Sequence, residues 1–279
     1  MKRIIVATDL SVNSKAGVRF AIQLASQTPV FLIFFHVIQL LVPARWNDVK
    51  VRIHLDEEIK EAEIDLSVFL KKVFKEANVR PKQFECVVRY GSPVYEAIIE
   101  YGKERNASFI CVSTRGAGRI RRVLGTHTSA LVKNSPIPVL VAPKNYKRMP
   151  INHIMYASDL TDIKNELRKV RNFATSINGK VSVLHYDYFL QIRKTKPEFD
   201  RVVKRYDSPG VDFHLQKFNL EKPLAAHIKK AIRKFKPSLV ALFTKQDRNW
   251  YQRIFLSSKS ADVTYDTRKP LVVFPRKRE

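Results

Sequence analysis

The residues best suited to chemistry lie in one stretch, Ser113-Thr114-Arg115-Gly116-Ala117-Gly118-Arg119-Ile120-Arg121-Arg122-Val123-Leu124-Gly125-Thr126-His127-Thr128. It leaves an apolar run expected to be a strand and enters a run of helical period. A helix start presents unpaired N–H groups and the positive end of a dipole, which favour an anion. Glycine lets the backbone approach a phosphate with no side chain between, and Thr126 and Thr128 offer hydroxyls. Arg115, Arg119, Arg121 and Arg122 can neutralise the charge of a bound triphosphate. The chemistry this stretch suits is phosphate binding. Its plainer reading is that Gly116 and Gly118 only turn the chain and Thr126 caps the next helix; both stay open.

Other constellations are weaker. Asp9 closes an apolar run and is either a magnesium ligand or adenosine contact, or a turn residue ahead of a helix whose start Ser11, Asn13 and Ser14 could cap. His36, His127 and His185 share no metal-ligand spacing, so no metal site is expected. Cys86 and Cys111 sit in apolar runs without redox or zinc spacing and read as inert buried thiols of a reducing cytoplasm. No Gly-x-Ser-x-Gly elbow, Walker lysine or paired carboxylates are present, so no catalysis is expected.

The elements that must position these residues occur twice. Residues 3–10, Arg-Ile-Ile-Val-Ala-Thr-Asp-Leu, return as residues 153–160, His-Ile-Met-Tyr-Ala-Ser-Asp-Leu, at an offset of 150. His36 and His185 close second apolar runs, Pro93 and Pro223 open helices, and Pro138-Val139-Leu140-Val141 returns as Pro270-Leu271-Val272-Val273. In the first half the patterning predicts strands over 4–8, 30–38, 84–90, 108–113 and 138–142. Helices are expected between them, including 55–77, 93–105 and 126–134. Val30 to Ile38 is so continuously apolar that it should be covered on both faces. The second half predicts strands near 153–158, 180–186, 211–218, 238–243 and 270–274, with a shorter, less regular second helix near 189–206.

Strands alternating with helices imply right-handed crossovers and an open parallel sheet. Ligands of such sheets sit beyond the carboxyl ends of the strands. The expectation is therefore α/β: two tandem doubly wound domains, each an open, mainly parallel five-stranded sheet flanked by helices. Residues 1–146 form the first and 150–279 the second, with a polar linker ending at Pro150. Residues 39–54 are left unplaced.

Composition sets the remaining bounds. The 279 residues include 51 Lys and Arg against 26 Asp and Glu, a formal charge of +25, and 45% are hydrophobic. Both halves share the excess, +11 over 1–149 and +14 over 150–279. Such a charge favours polyanion partners through long-range attraction. No apolar run is long enough to span a bilayer, and the basic start lacks a cleavage-like segment, so a soluble cytoplasmic protein is expected.

On the strand ending in Asp9 or Asp159, the β–α order and the closing Pro-Val-Leu-Val strand, both halves resemble the universal stress protein family. Nucleotide-binding members of that family carry G-x-x-G, nine residues, then G-[ST]. Here Ser113 stands for the first glycine, Gly116 for the second, and eight residues precede Gly125-Thr126. The resemblance implies an ATP site, with or without Mg2+, built from Ala7, Thr8, Asp9, Ser113, Thr114, Arg115, Gly116, Gly125, Thr126, His127 and Thr128, with the base near His36 and Val37. The equivalent second-half stretch, Phe243 to Ser258, holds no glycine; Gln246 and Ser257 take the glycine places. That half is expected to bind no nucleotide. The resemblance also implies an intramolecular pseudo-dimer, pairing through 137–142 and 269–274, and is compatible with a further homodimer. The implied role is stress-response regulation without strong catalysis; the competing reading is a nucleotide-independent polyanion-binding, nucleic-acid-binding or protein-binding scaffold.

Overall fold

Apolar runs that cannot be covered on one face alone become interior strands, and the amphipathic runs between them become the covering helices. In the computed structural model, which describes residues 1–40, 43, 46–114, 126–187, 192–219, 221–222, 224–244 and 269–275, the chain divides into two units, Met1–Arg148 and Met149–Glu279.

The first unit runs β1 (Lys2–Ala7), α1 (Lys15–Gln27), β2 (Val30–Ile38), α2 (Asp48–Ala77), β3 (Phe84–Tyr90), α3 (Val94–Glu104), β4 (Phe109–Ser113), α4 (Thr126–Asn134) and β5 (Val139–Ala142). Its strands are parallel in the order β3-β2-β1-β4-β5. The chain works outward from β1 to β3, then crosses back to β4 beside β1. That reversal opens a crevice beyond the carboxyl ends of β1 and β4. Ile5, Val6, Phe20, Leu32, Ile33, Phe34 and Leu66 are fully buried, each contributing roughly 1.5–3 kcal/mol.

The second unit runs β6 (His153–Ser158), α5 (Ile163–Ser176), β7 (Lys180–Asp187), α6 (Ile192–Tyr206), β8 (Val211–Lys217), α7 (Leu224–Phe235), β9 (Leu239–Thr244) and β10 (Leu271–Pro275), again parallel, in the order β8-β7-β6-β9-β10. The two units are therefore copies of one doubly wound topology. As expected, α6 is shorter than α2, 15 residues against 30.

Two expectations need correction. The helix expected from residue 55 begins at Asp48 and so absorbs much of the unplaced 39–54 segment. Asn47 caps it, its side-chain oxygen accepting from Lys50 N at 2.9 Å. The early turns were hidden because no residue before Ala62 is buried, so they carry no inward apolar stripe. Cys86, read as buried, is exposed, because β3 is an edge strand whose outer face is only partly covered; Cys111 in β4 is buried, and its thiol pKa is pushed well up by that burial.

Candidate functional site

The end of β1 in the first unit is built around a tight turn. Thr8 is buried, and its Oγ1 accepts from Leu10 N at 3.1 Å and pairs with Ser14 Oγ at 2.8 Å. Leu10 is driven to φ 59°, uncommon for a branched side chain, and Asp9 Oδ1 accepts from Ser11 N at 3.2 Å. The second unit repeats this. Leu160 has φ 63°, Leu160 N donates to Ser158 Oγ at 3.1 Å, and Thr161 N donates to Asp159 Oδ1 at 3.0 Å. The histidines match as well: His36 Nδ1 lies 2.8 Å from Thr8 O and His185 Nδ1 lies 3.0 Å from Ser158 O. Of the two readings of Asp9, the turn is thus realised in both units. Asp9 is also exposed at the mouth of the crevice, where a ligand could meet it.

The ends of β4 and α4 converge. Thr128 Oγ1 donates to Ser113 O at 2.8 Å, so the end of β4 and the start of α4 meet. Arg115, Gly116 and Gly125 lie outside the described residues. Thr126 and His127, at the start of α4, are exposed, whereas Thr128 is buried with its hydroxyl committed to Ser113. Thr114 N donates to Ala142 O at 2.8 Å, and Thr114 Oγ1 accepts from Lys144 N at 3.2 Å. Ala7 and Val37 are half-buried at the ends of β1 and β2, with Val37 beside Arg89 of β3. The structure therefore brings together the ends of β1, β2 and β4 with the start of α4.

Ser113 has a role that its sequence position did not announce. Its Oγ accepts from Gly17 N at 2.8 Å and donates to Ser14 O at 3.2 Å. It stands in the place of a phosphate-loop glycine, yet its side chain fastens β4 to α1. Gly17 makes this approach feasible: a Cβ there would lie 3.2 Å from both Ser113 N and Val112 C. An isolated glycine inside a helical run was the available signal of close backbone packing. Lys15, at the same helix end, is unavailable to a phosphate because its Nζ donates to Glu76 Oε1 at 2.6 Å. That hydrogen bond holds the Glu76 carboxyl below its usual range.

The second unit fills the same place differently. Phe243 occupies the register position of Ser113, and Phe274 that of Ala142; the two rings stack at 5.1 Å and 21°. Gly17 and Glu166 each precede the strand-ending histidine by 19 residues, so Glu166 takes the glycine's place. Glu166 is 1% exposed and receives a short hydrogen bond from Tyr156 Oη, while the Tyr156 ring packs on Phe243. Burial, then the Glu166 charge, pushes the Tyr156 pKa well above its ordinary value. Among the described residues, no group of three or more His, Cys, Asp or Glu side chains could hold a metal ion, and no helix is long and apolar enough to cross a membrane.

A doubly wound sheet with a reversal at β1 and a left-handed turn at each first-strand end define a tandem α/β protein of the open-sheet class. The sequence profile of the universal stress protein family matches residues 1–143, and the chain belongs to that family. It is 28% identical over 151 residues, 52% of this chain and 84% of the other, to a universal stress protein of Methanocaldococcus jannaschii. Its fold is similar to that of a universal stress protein from Archaeoglobus fulgidus, with a TM-score of 0.70 at 17% identity over 99% of this chain and 98% of that one. It is also similar to a protein described as a universal stress protein from Pseudomonas aeruginosa, with a TM-score of 0.57 at 14% identity over 99% and 93%.

Proposed function

We propose that the first unit binds an adenine nucleotide, ATP, at the carboxyl ends of β1 and β4, and that the second unit binds none. The protein would act in the cytoplasm as a nucleotide-responsive regulator rather than a catalyst. The observation that carries this reading is the contrast at one register position. Ser113 and Ala142 end β4 and β5 with small side chains beside the start of α4, which Thr128 ties to Ser113, while Phe243 and Phe274 fill the second unit's equivalent with stacked rings. The hydroxyls of Thr8, Ser14, Ser113 and Thr128 are engaged with backbone and with one another rather than held as nucleophiles beside a base. Two unpaired thiols fit a reducing compartment.

Thermal unfolding with and without MgATP tests the proposal. Saturation near 100 times the dissociation constant should add roughly 2.7 kcal/mol to the first unit, a rise of a few degrees. A Gly125→Arg variant should lose the rise. No rise in the parent would remove the nucleotide reading.

One observation favours a second reading, binding of a polyanion independent of nucleotide. In α7, Lys229, Lys230, Arg233, Lys234 and Lys236 at its end are exposed, and no acidic residue interrupts Leu224–Phe235; the corresponding α3 carries Glu96, Glu100 and Glu104. One scaffold thus presents opposite charge in its two copies. Binding to duplex DNA that falls steeply with salt, and is indifferent to Gly125→Arg, would favour that reading.

A further inference from the structure

Helix α2 carries on its outer side the sequence Val49-x3-Ile53-x3-Glu57-x2-Lys60-x3-Ile64-x3-Val68. The four apolar members are exposed by 65%, 54%, 66% and 59%, against the ordinary rule that such side chains on an amphipathic helix face inward. Helical geometry places all six within an arc of about 100° and over a length of about 28 Å. The steps of four, four, three, four and four average 3.8 residues, near the ~3.6 of a helical turn, so the stripe keeps to one side of the helix along its length. Inward packing does not explain it, because the buried residues of α2 are Ala62, Leu66, Phe69, Leu70 and Val73, on another face, and Asp48–Glu61 bury none.

The stripe reads the same in both directions apart from its centre, which is oppositely charged. A two-fold axis between residues 58 and 59 sets Val49 opposite Val68, Ile53 opposite Ile64 and Glu57 opposite Lys60 of a second copy. The same register places Lys50, Arg52 and His54 of one copy near Asp65, Glu63 and Glu61 of the other, with opposite charges at each pairing once His54 is protonated. A parallel pairing would set Glu57 on Glu57 and Lys60 on Lys60. We infer that the outer face of α2 is a self-complementary surface on which two copies of this chain pair in antiparallel fashion. A two-fold interface must present one patch to itself, which this stripe does. Apolar pairs would supply the attraction and the charges the direction. The surface lies on the first unit.

Sedimentation equilibrium of the full chain over a wide concentration range tests the inference. The parent should be a dimer, and Ile53→Glu with Ile64→Glu should raise the dissociation constant by about a hundredfold. Circular dichroism and melting of that variant should match the parent, since both positions face solvent. Glu57→Lys alone should weaken the dimer about tenfold by setting like charges together, and adding Lys60→Glu should restore it. In a Cys86→Ser background, a mixture of Ile53→Cys and Ile64→Cys chains should oxidise to mixed disulfides, while neither variant alone should cross-link. A monomeric parent, or a dimer indifferent to the glutamates, would overturn the inference. So would cross-linking of Ile53→Cys chains with one another.

Discussion

The two units share a scaffold down to the hydrogen bonds of the first turn, and they differ where α1 meets β4 and α5 meets β9. In the first unit a glycine, a serine and an alanine bring backbone close to backbone. In the second, a glutamate, a tyrosine and two phenylalanines fill the same place. Shared features such as Asp9 and Asp159, or His36 and His185, report what the fold requires. The places where the copies part report what each copy has been left free to do, and here the first unit keeps small residues where the second packs large ones.

The largest test exchanges the centres of this difference. Gly17→Glu should bury a carboxylate against Ser113 with no tyrosine to meet it, costing about 3–5 kcal/mol in the first unit, read by chemical denaturation. Smaller, and confined to the second unit, Tyr156→Phe should remove the hydroxyl that serves buried Glu166 and cost about 1–3 kcal/mol. Smaller again, Ser113→Ala should lose the bonds to Gly17 N and Ser14 O, about 1–2 kcal/mol, with hydrogen exchange faster in α1 and β4 and unchanged in β9.

Acidity should separate the units further. The pKa values of His153 and His214 are held below the usual histidine value, chiefly by burial, and their register counterparts in the first unit are Arg3 and Val87. A histidine whose folded pKa is lowered binds protons more readily when unfolded, so its contribution is fully present above the unfolded value near 6.5 and is lost as pH falls through it. Between pH 7.5 and 5, amide exchange corrected for intrinsic rate should accelerate more in β6 and β8 than in β1 and β3. Equal acceleration in both units would remove this distinction.

Much of the fold was legible because repetition and strand hydrophobicity are local signals. The two Asp-Leu turns and the strand-ending histidines mark equivalent points within the sequence itself. The early turns of α2 were not legible, because Val49 and Ile53 face outward and mimic a loop's irregularity. The exposure of Cys86 depends on β3 being an edge, a property of topology rather than of its own neighbours. Ser113 read only as a glycine missing from a phosphate loop, since its partner Gly17 lies 96 residues away and only the folded chain brings them to 2.8 Å. The pairing of Tyr156 with Glu166 was hidden for a related reason: one residue is lost between the first strand and the following helix of the second copy, which obscures the match of Glu166 to Gly17.

On the proposed function, one chain should carry one nucleotide site. Equilibrium dialysis of the full chain against labelled MgATP measures the number of sites directly. One nucleotide per chain is expected at saturation and none after Gly125→Arg. Two per chain would show that Phe243 and Phe274 do not close the second unit, and none in the parent would show that the first unit's loop does not bind ATP.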